Sequence, residues 1–277
     1  MTTPDRYAVF GDPISHSKSP KIHQLFAEQT GQSLQYTAER VPATQFTTTA
    51  NTFFAEGGKG LNCTIPLKEL AWKYADHKTQ RAQLSGAVNT LALQADGSIL
   101  GDNTDGIGLV TDLMHNHGIT LKDRNILILG AGGASRGIIE PILEQSPQRL
   151  VIANRTVDKA IELAQVFSQL GTLTGCGYDA LSGQQFDLII NATSTSLTGD
   201  LPPLPDQLLA KGGYCYDLAY SNQPTPFVHW GLANGAAKSV DGLGMLVEQA
   251  AEAFYIWRKV RPATETVIAS MNSQRGL

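Results

Sequence analysis

"LKDRNILILGAGGASRG" (121–137) is the stretch whose reading decides the fold. A charged entry leads into the apolar run Ile126–Leu129, a glycine turn follows, and the pattern turns helical. Strand, glycine turn and helix in that order read as the first βα unit of a nucleotide-binding domain. Gly130 permits the tight turn, and Gly132 lets the backbone approach a pyrophosphate at the positive start of the helix. Ser135 stands at the third position of the pattern, where it is small enough to fit. A bare glycine match equally describes a simple strand-to-helix turn; the flanking strand and helix favour dinucleotide binding.

The next strand, "RLVIAN" (149–154), bears on which dinucleotide is bound. An NAD site carries an acidic residue about 20 residues after the glycines, to accept hydrogen bonds from the ribose. Here Asn154, Arg155 and Thr156 occupy that region, and Lys159 follows Arg155 by one helical turn. A carboxylate would repel a 2′-phosphate, whereas guanidinium and ammonium groups pair with it. The alternative is a solvated helix start, but basic residues there oppose the macrodipole. NADP is therefore favoured. Further strands are expected at "FDLIINAT" (186–193) and "YCYDLAY" (214–220), and "GMLVEQAAEAFYIWRKV" (244–260) reads as a long amphipathic helix that packs back onto the first domain.

The chain around this unit has 277 residues, 42% hydrophobic and 17% charged, enough for one large domain or two modest ones. A net charge of −4 without a basic tract argues against nucleic acid as a partner. No apolar run approaches the roughly 20 residues of a membrane span, and "MTTPDRYAVFG" lacks a signal-peptide core. Cys63, Cys176 and Cys215 are odd in number and far apart, which fits a reducing, cytoplasmic compartment. No metal is expected: "GDNTDG" (101–106) lacks EF-hand spacing, and the two histidines of "HNH" (115–117) point in different directions on a helix.

Before residue 105, strand-like runs fall at 7–11, 34–41, 60–65, 87–94 and 98–103, with helical patterns near 19–30, 43–56 and 66–75. "NCTIPLKEL" (62–70) places Pro66 at a helix start and Lys68 in the first turn, where the dipole makes its proton easier to use. "GAVNT" (86–90) and "GDNTDG" add Asn89, Asp102 and Asp105. In "SHSKSP" (15–20), Ser19 and Pro20 read as helix cap and first helical residue. Ser15 and Ser17 are left as hydroxyl donors near the positive start of the helix, a seat for a carboxylate.

Taken in order, "SHSKSP", "NCTIPLK", "GAVNT", "GDNTDG", "GAGGAS", "NRT", "INATS", "YDLAY" and "DGLGMLVEQA" resemble the shikimate dehydrogenase family over nearly the whole chain. The resemblance implies an N-terminal α/β substrate domain (1–105, completed by 240–277) and a Rossmann-type NADP-binding domain (106–239), with a cleft between them and the C-terminal helices returning to the first domain. It implies NADP-dependent, reversible reduction of 3-dehydroshikimate to shikimate, with Lys68 as general acid/base and Asp105 as its partner. Ser15 and Ser17 would bind the substrate carboxylate; Thr64, Lys68, Asn89 and Asp105 would surround the ring hydroxyls, and Tyr220 and Gln249 would complete the pocket. Gly130, Ala131, Gly132, Gly133, Ala134 and Ser135 would cradle the pyrophosphate, and Asn154, Arg155, Thr156 and Lys159 the adenosine phosphate. Thr193, Leu218 and Gly242 would serve the cofactor, the last two at its nicotinamide end. The expected partners are small molecules only, with the chain a monomer or homodimer. Cys63, in a place usually filled by valine, and Thr195–Ser196, in place of a commoner serine-glycine pair, depart from the pattern. A quinate/shikimate dehydrogenase, a folate-type dehydrogenase and a non-catalytic NADP-sensing module are the competing readings. The basic "NRTVDK", the "SHSKSP"–"GDNTDG" pair and the intact Lys68 and Asp105 weigh against them in turn.

Overall fold

The alternation of short apolar runs with helical stretches becomes two six-stranded sheets in the computed structural model, which describes residues 3–193 and 195–275. The chain divides into two compact units. One holds the chain up to Gly108 with Val247–Val267, and the other holds Leu109–Leu246 and the segment from Ile268 onward.

In the first unit the elements run β1 (Asp5–Gly11), α1 (Ser19–Thr30), β2 (Leu34–Arg40), α2 (Phe46–Ala55), β3 (Gly58–Cys63), α3 (Lys68–Tyr74), β4 (His77–Lys78), α4 (Gln80–Ser85), β5 (Thr90–Leu93), β6 (Ile99–Asp102) and the start of α5 (Asp105–Thr111). The strand order is β2-β1-β3-β5-β6-β4. β2, β1 and β3 are parallel, joined through helices, whereas β5 runs antiparallel to both β3 and β6. The run Tyr7–Gly11 is buried throughout, the signature of a strand covered on both faces. Phe10, Phe46, Phe53, Leu61, Leu67 and Leu91 form the core beside it. α1 stops where Gly31 takes the left-handed conformation, φ 64°.

Two local expectations are corrected. Pro66 is not the first helical residue: the Ile65–Pro66 peptide is cis, Leu67 N–H closes a turn on Thr64 O at 2.7 Å, and the helix begins at Lys68. Ser19 is not the cap of α1. The backbone is already helical at Lys18, so Ser19 lies inside the first turn and its N–H donates to Ser17 Oγ at 3.3 Å.

The second unit continues with β7 (Asn125–Leu129), α6 (Gly133–Glu144), β8 (Arg149–Ala153), α7 (Val157–Val166), β9 (Leu173–Cys176), β10 (Phe186–Asn191), α8 (Thr195–Thr198), β11 (Leu209–Asp217), α9 (Pro226–Ala233), β12 (Lys238–Asp241), α10 (Leu243–Arg258) and α11 (Glu265–Ser273). All its strands are parallel in the order β12-β11-β10-β7-β8-β9, the doubly wound arrangement of dinucleotide-binding domains. The edge strands β9 and β12 carry no sequence signal, being four residues each, one with an internal glycine and the other polar at three of its four positions. β11 ends at Asp217, so Leu218 and Tyr220 lie in the loop beyond it rather than in a strand.

α10 returns to the first unit from Val247, where Trp257 Nε1 donates to Leu91 O at 3.0 Å and Arg258 pairs with Asp5. The compact units meet in sequence at 108/109, 246/247 and 267/268. Residues 240–246 and the segment from Ile268 go with the second unit, where Arg275 pairs with Asp241 at the end of β12. Among the described residues, no helix is long and apolar enough to cross a membrane.

Candidate active site

Because β1 and β3 are adjacent and parallel, their C-terminal ends deliver two loops side by side. Thr64 N–H donates to Phe10 O at 2.9 Å and Asp12 N–H to Ile65 O at 3.1 Å, stitching the loop that carries Ser15 and Ser17 to the one that carries Thr64. Gly11 makes this possible: a Cβ there would stand 2.5 Å from Thr64 Cγ2. Ser15 is exposed and Ser17 half-buried, its Oγ already accepting from Ser19 N–H. On the other flank of β3, Cys63 N–H donates to Asn89 O at 2.8 Å, which brings Asn89 to the same end of the sheet.

At that end Lys68 Nζ, in the first turn of α3, lies 2.5 Å from Asp105 Oδ2, at the start of α5. The side chains are 23% and 11% exposed, so the charges interact with less screening than on an open surface. Asp105 Oδ1 accepts from Asn89 Nδ2 at 2.8 Å. The same amide group reaches Thr104 Oγ1 at 2.9 Å and Gln249 Oε1 at 3.3 Å, while Asn89 Oδ1 accepts from Thr104 N–H at 2.9 Å. Lys68, Asp105, Asn89 and Gln249 thus form one connected set, although Gln249 is 160 residues from Asn89.

Asp102 was as good a carboxylate as Asp105 on sequence grounds. The structure separates them. Asp102 takes a bidentate contact from Arg81, at 2.7 Å on each oxygen, and also accepts from Thr79 Oγ1 and Asn103 N–H. Burial opposes the Arg81 charge, but Asp102 and Glu252 more than offset it, so its pKa is raised. This buried pair holds the loop from which Asp105 projects. Cys63 is buried in the core and its thiol is pushed up to about 12 by burial, so it is no nucleophile.

In the second unit the turn after β7 is an open cradle. Gly130 has φ +103°, and a Cβ there would press on Thr193 Cγ2 and Ala192 O at 3.1 and 3.2 Å. Gly132 and Gly133 face open space at the start of the twelve-residue α6, whose first N–H groups are left for an anion. Ser135 is wholly buried and donates to Gly130 O at 2.7 Å, so its hydroxyl braces the turn from inside. Asn154 Oδ1 accepts from Ala131 N–H at 3.2 Å and ties the end of β8 to the cradle. Arg155, Thr156 and Lys159 are exposed beside it. At the ends of β11 and β12, Leu218 N–H donates to Asn191 O at 2.9 Å, and Gly242 fits against Leu218 O, where a Cβ would come within 2.3 Å. Tyr220 is half-buried and its pKa is raised by burial. An open glycine turn with free amides, flanked by exposed cations and by no carboxylate at the end of β8, fits a dinucleotide that carries an extra phosphate.

Comparison with known proteins adds an independent line. Residues 9–91 match the shikimate dehydrogenase substrate binding domain, 112–198 the shikimate / quinate 5-dehydrogenase domain, and 242–271 the shikimate 5′-dehydrogenase C-terminal domain. The shikimate dehydrogenase (NADP(+)) of Methylococcus capsulatus is 62% identical over 275 residues, covering 99% of each chain. The chain belongs to the shikimate dehydrogenase family. Its relative from Alkalilimnicola ehrlichii, of the same name, is 56% identical over 98% of this chain and 99% of that one. Among solved structures, the Thermus thermophilus shikimate 5-dehydrogenase in complex with NADP(H) and shikimate superposes with a TM-score of 0.86 at 32% identity, covering 98% of this chain and 99% of the other.

Sequence reasoning missed three side chains that brace these candidate residues, two in the first unit and one in the second. Arg81 was hidden in a short helix that has no strong period. Asn62, which accepts from Tyr36 Oη at 2.6 Å and donates to Asn89 O at 3.0 Å, was marked only by its polarity within an apolar strand. Asp217, described below, was quoted in "YDLAY" without a role.

Proposed function

We propose that the protein catalyses the reversible NADP-dependent reduction of 3-dehydroshikimate to shikimate, in the cytoplasm, as a step toward aromatic amino acids. The observation that carries this reading is the Lys68–Asp105 contact at 2.5 Å inside the Asn89–Gln249 network. When bound, NADPH would supply the hydride that the ketone carbon takes up. Lys68 then donates its proton to the oxygen as charge develops there, and its ammonium stabilises that charge beforehand; a positioned acid contributes roughly 10²–10⁴-fold. Asp105 holds the ammonium in place and, with Thr64, Lys68 and Asn89, surrounds the ring hydroxyls. Ser15 and Ser17 would take the carboxylate, and Tyr220 and Gln249 would complete the substrate residues. In the opposite direction Lys68 removes the hydroxyl proton.

Residues 130–135 would hold the pyrophosphate, and Asn154, Arg155, Thr156 and Lys159 the 2′-phosphorylated adenosine. Thr193, Leu218 and Gly242 would also serve the cofactor, Leu218 and Gly242 at its nicotinamide end. The division of labour is a substrate domain of residues 1–105 with 240–277 and a cofactor domain of 106–239. Purified protein mixed with shikimate and NADP⁺ should raise nicotinamide absorbance, with quinate or NAD⁺ giving much slower turnover. Absence of NADP⁺-linked oxidation of shikimate overturns the reading.

A further inference from the structure

In the second unit several chain segments converge on one carboxylate. Asp217 closes β11 and is wholly buried. Its Oδ2 accepts from Ser196 Oγ and from Thr225 Oγ1, both at 2.6 Å. Its Oδ1 accepts from Asn191 Nδ2 and from Ala219 N–H, both at 3.1 Å. All four donors are neutral. Burial pushes the carboxyl pKa up, and the four donors pull part of the way back. A buried carboxylate is costly unless its oxygens are used, so each of these donors is held more firmly than in a neutral pair.

The donors come from separate stretches. Asn191 ends β10, and its Oδ1 accepts from both Thr193 N–H, at 3.2 Å, and Thr193 Oγ1, at 2.6 Å. Ser196 lies in α8, Ala219 follows Leu218, and Thr225 caps α9 by accepting from Val228 N–H at 3.2 Å. One side chain therefore fixes the loop holding Thr193 relative to the segment holding Leu218 and Tyr220.

We propose that Asp217 is a positioning residue for the nicotinamide end of the cofactor, acting through Ser196 and Asn191 to hold Thr193 and the 218–220 segment in their receiving arrangement. This rests on the roles assigned above to Thr193 and Leu218. A carboxylate suits the task better than an amide because it only accepts, so all four donors turn inward to it.

The test uses the whole protein and two ligands, NADP⁺ and 2′-phospho-ADP-ribose, which lacks nicotinamide. Binding is followed by protein fluorescence, with thermal unfolding and amide hydrogen exchange of the ligand-free protein alongside. Ser196→Ala should weaken NADP⁺ about tenfold, the worth of a hydrogen bond to a charged group, leave the fragment's Kd unchanged, and speed exchange over residues 193–196. Asp217→Asn should weaken NADP⁺ at least as much, and the double variant should be no weaker than Asp217→Asn alone, since the two act through one bond. If Asp217→Asn does not fold, Ser196→Ala and Thr225→Val decide the matter by the same NADP⁺-against-fragment comparison. Equal weakening of both ligands, or NADP⁺ affinity within about twofold of wild type in Ser196→Ala, overturns the positioning role. Wild-type protein that fails to bind NADP⁺ overturns the proposed function as well, whereas normal wild-type binding with unaffected variants overturns the positioning role alone.

Discussion

Lys68 and Asp105 are 37 residues apart in sequence, yet one ammonium and one carboxylate oxygen are 2.5 Å apart in the fold. Their partial burial makes the pair more than a surface ion pair, and Asn89 occupies the second carboxylate oxygen. Lys68→Ala should lower kcat by about 10²–10⁴-fold while leaving the NADP⁺ Kd unchanged, since the cofactor cradle lies on other residues. An unaffected kcat in steady-state assays removes Lys68 from the acid/base role. The cofactor preference rests on Arg155, exposed just after β8 in "NRT", where the sequence has no acid. Arg155→Ala should raise KM for NADP⁺ by roughly 10-fold or more, the loss of a charge-assisted phosphate contact, and leave KM for NAD⁺ nearly unchanged. Equal effects on both cofactors would place Arg155 outside phosphate recognition. At this scale the residue types were legible, because lysine in a helix's first turn and cations in place of an acid are local features. Choosing Asp105 over Asp102 was not, because Arg81 decides it, through a pairing that only the folded sheet creates.

The elements that carry these groups are held by close backbone approach as much as by apolar burial. β9 packs so tightly on α7 that a Cβ on Gly175 would stand 2.2 Å from Ala160 O, a backbone atom that cannot swing away. Gly175→Ala should cost about 1–3 kcal/mol in urea unfolding, with kcat at saturating NADP⁺ retained because the Lys68–Asp105 pair lies in the other unit. Unchanged stability would show that α7 can shift away from the strand. The glycine cradle was readable because strand, turn and helix are consecutive and each signals itself. β4, β9 and β12 were not, since such short strands exist only by virtue of the neighbour they pair with. Pro66 shows the same limit: a proline before a helix suggests its start, whereas the helix begins two residues later, at Lys68.

For the molecule as a whole, pH stability turns on a histidine that sequence alone left without a role. His23 is buried, its ring is stacked on Tyr36 at 4.2 Å between centroids, and neither ring nitrogen has a hydrogen-bond partner. Burial drives its pKa down to about 3, with Asn62, close by but outside hydrogen-bonding geometry, offsetting a little of this. The unfolded chain therefore binds a proton below its ordinary pKa of 6.5 that the folded chain refuses. This contribution is whole above pH 6.5 and is lost as pH falls toward 3, by roughly 1.4 kcal/mol per pH unit inside that window. Urea midpoints measured at neutral and mildly acid pH should fall accordingly, and His23→Phe should flatten that dependence; an equal slope in the variant assigns it to other groups. The sequence by itself determined two α/β units, a dinucleotide turn, the preference for an extra phosphate and a lysine placed in a helix's first turn, because each rests on neighbours within a turn or two. The tertiary structure alone decided the strand order, the partner of each buried carboxylate, and the meeting of Gln249 with Asn89. Those depend on which distant segments the sheets bring side by side, and on the cost of leaving a buried polar group unpaired once they have done so.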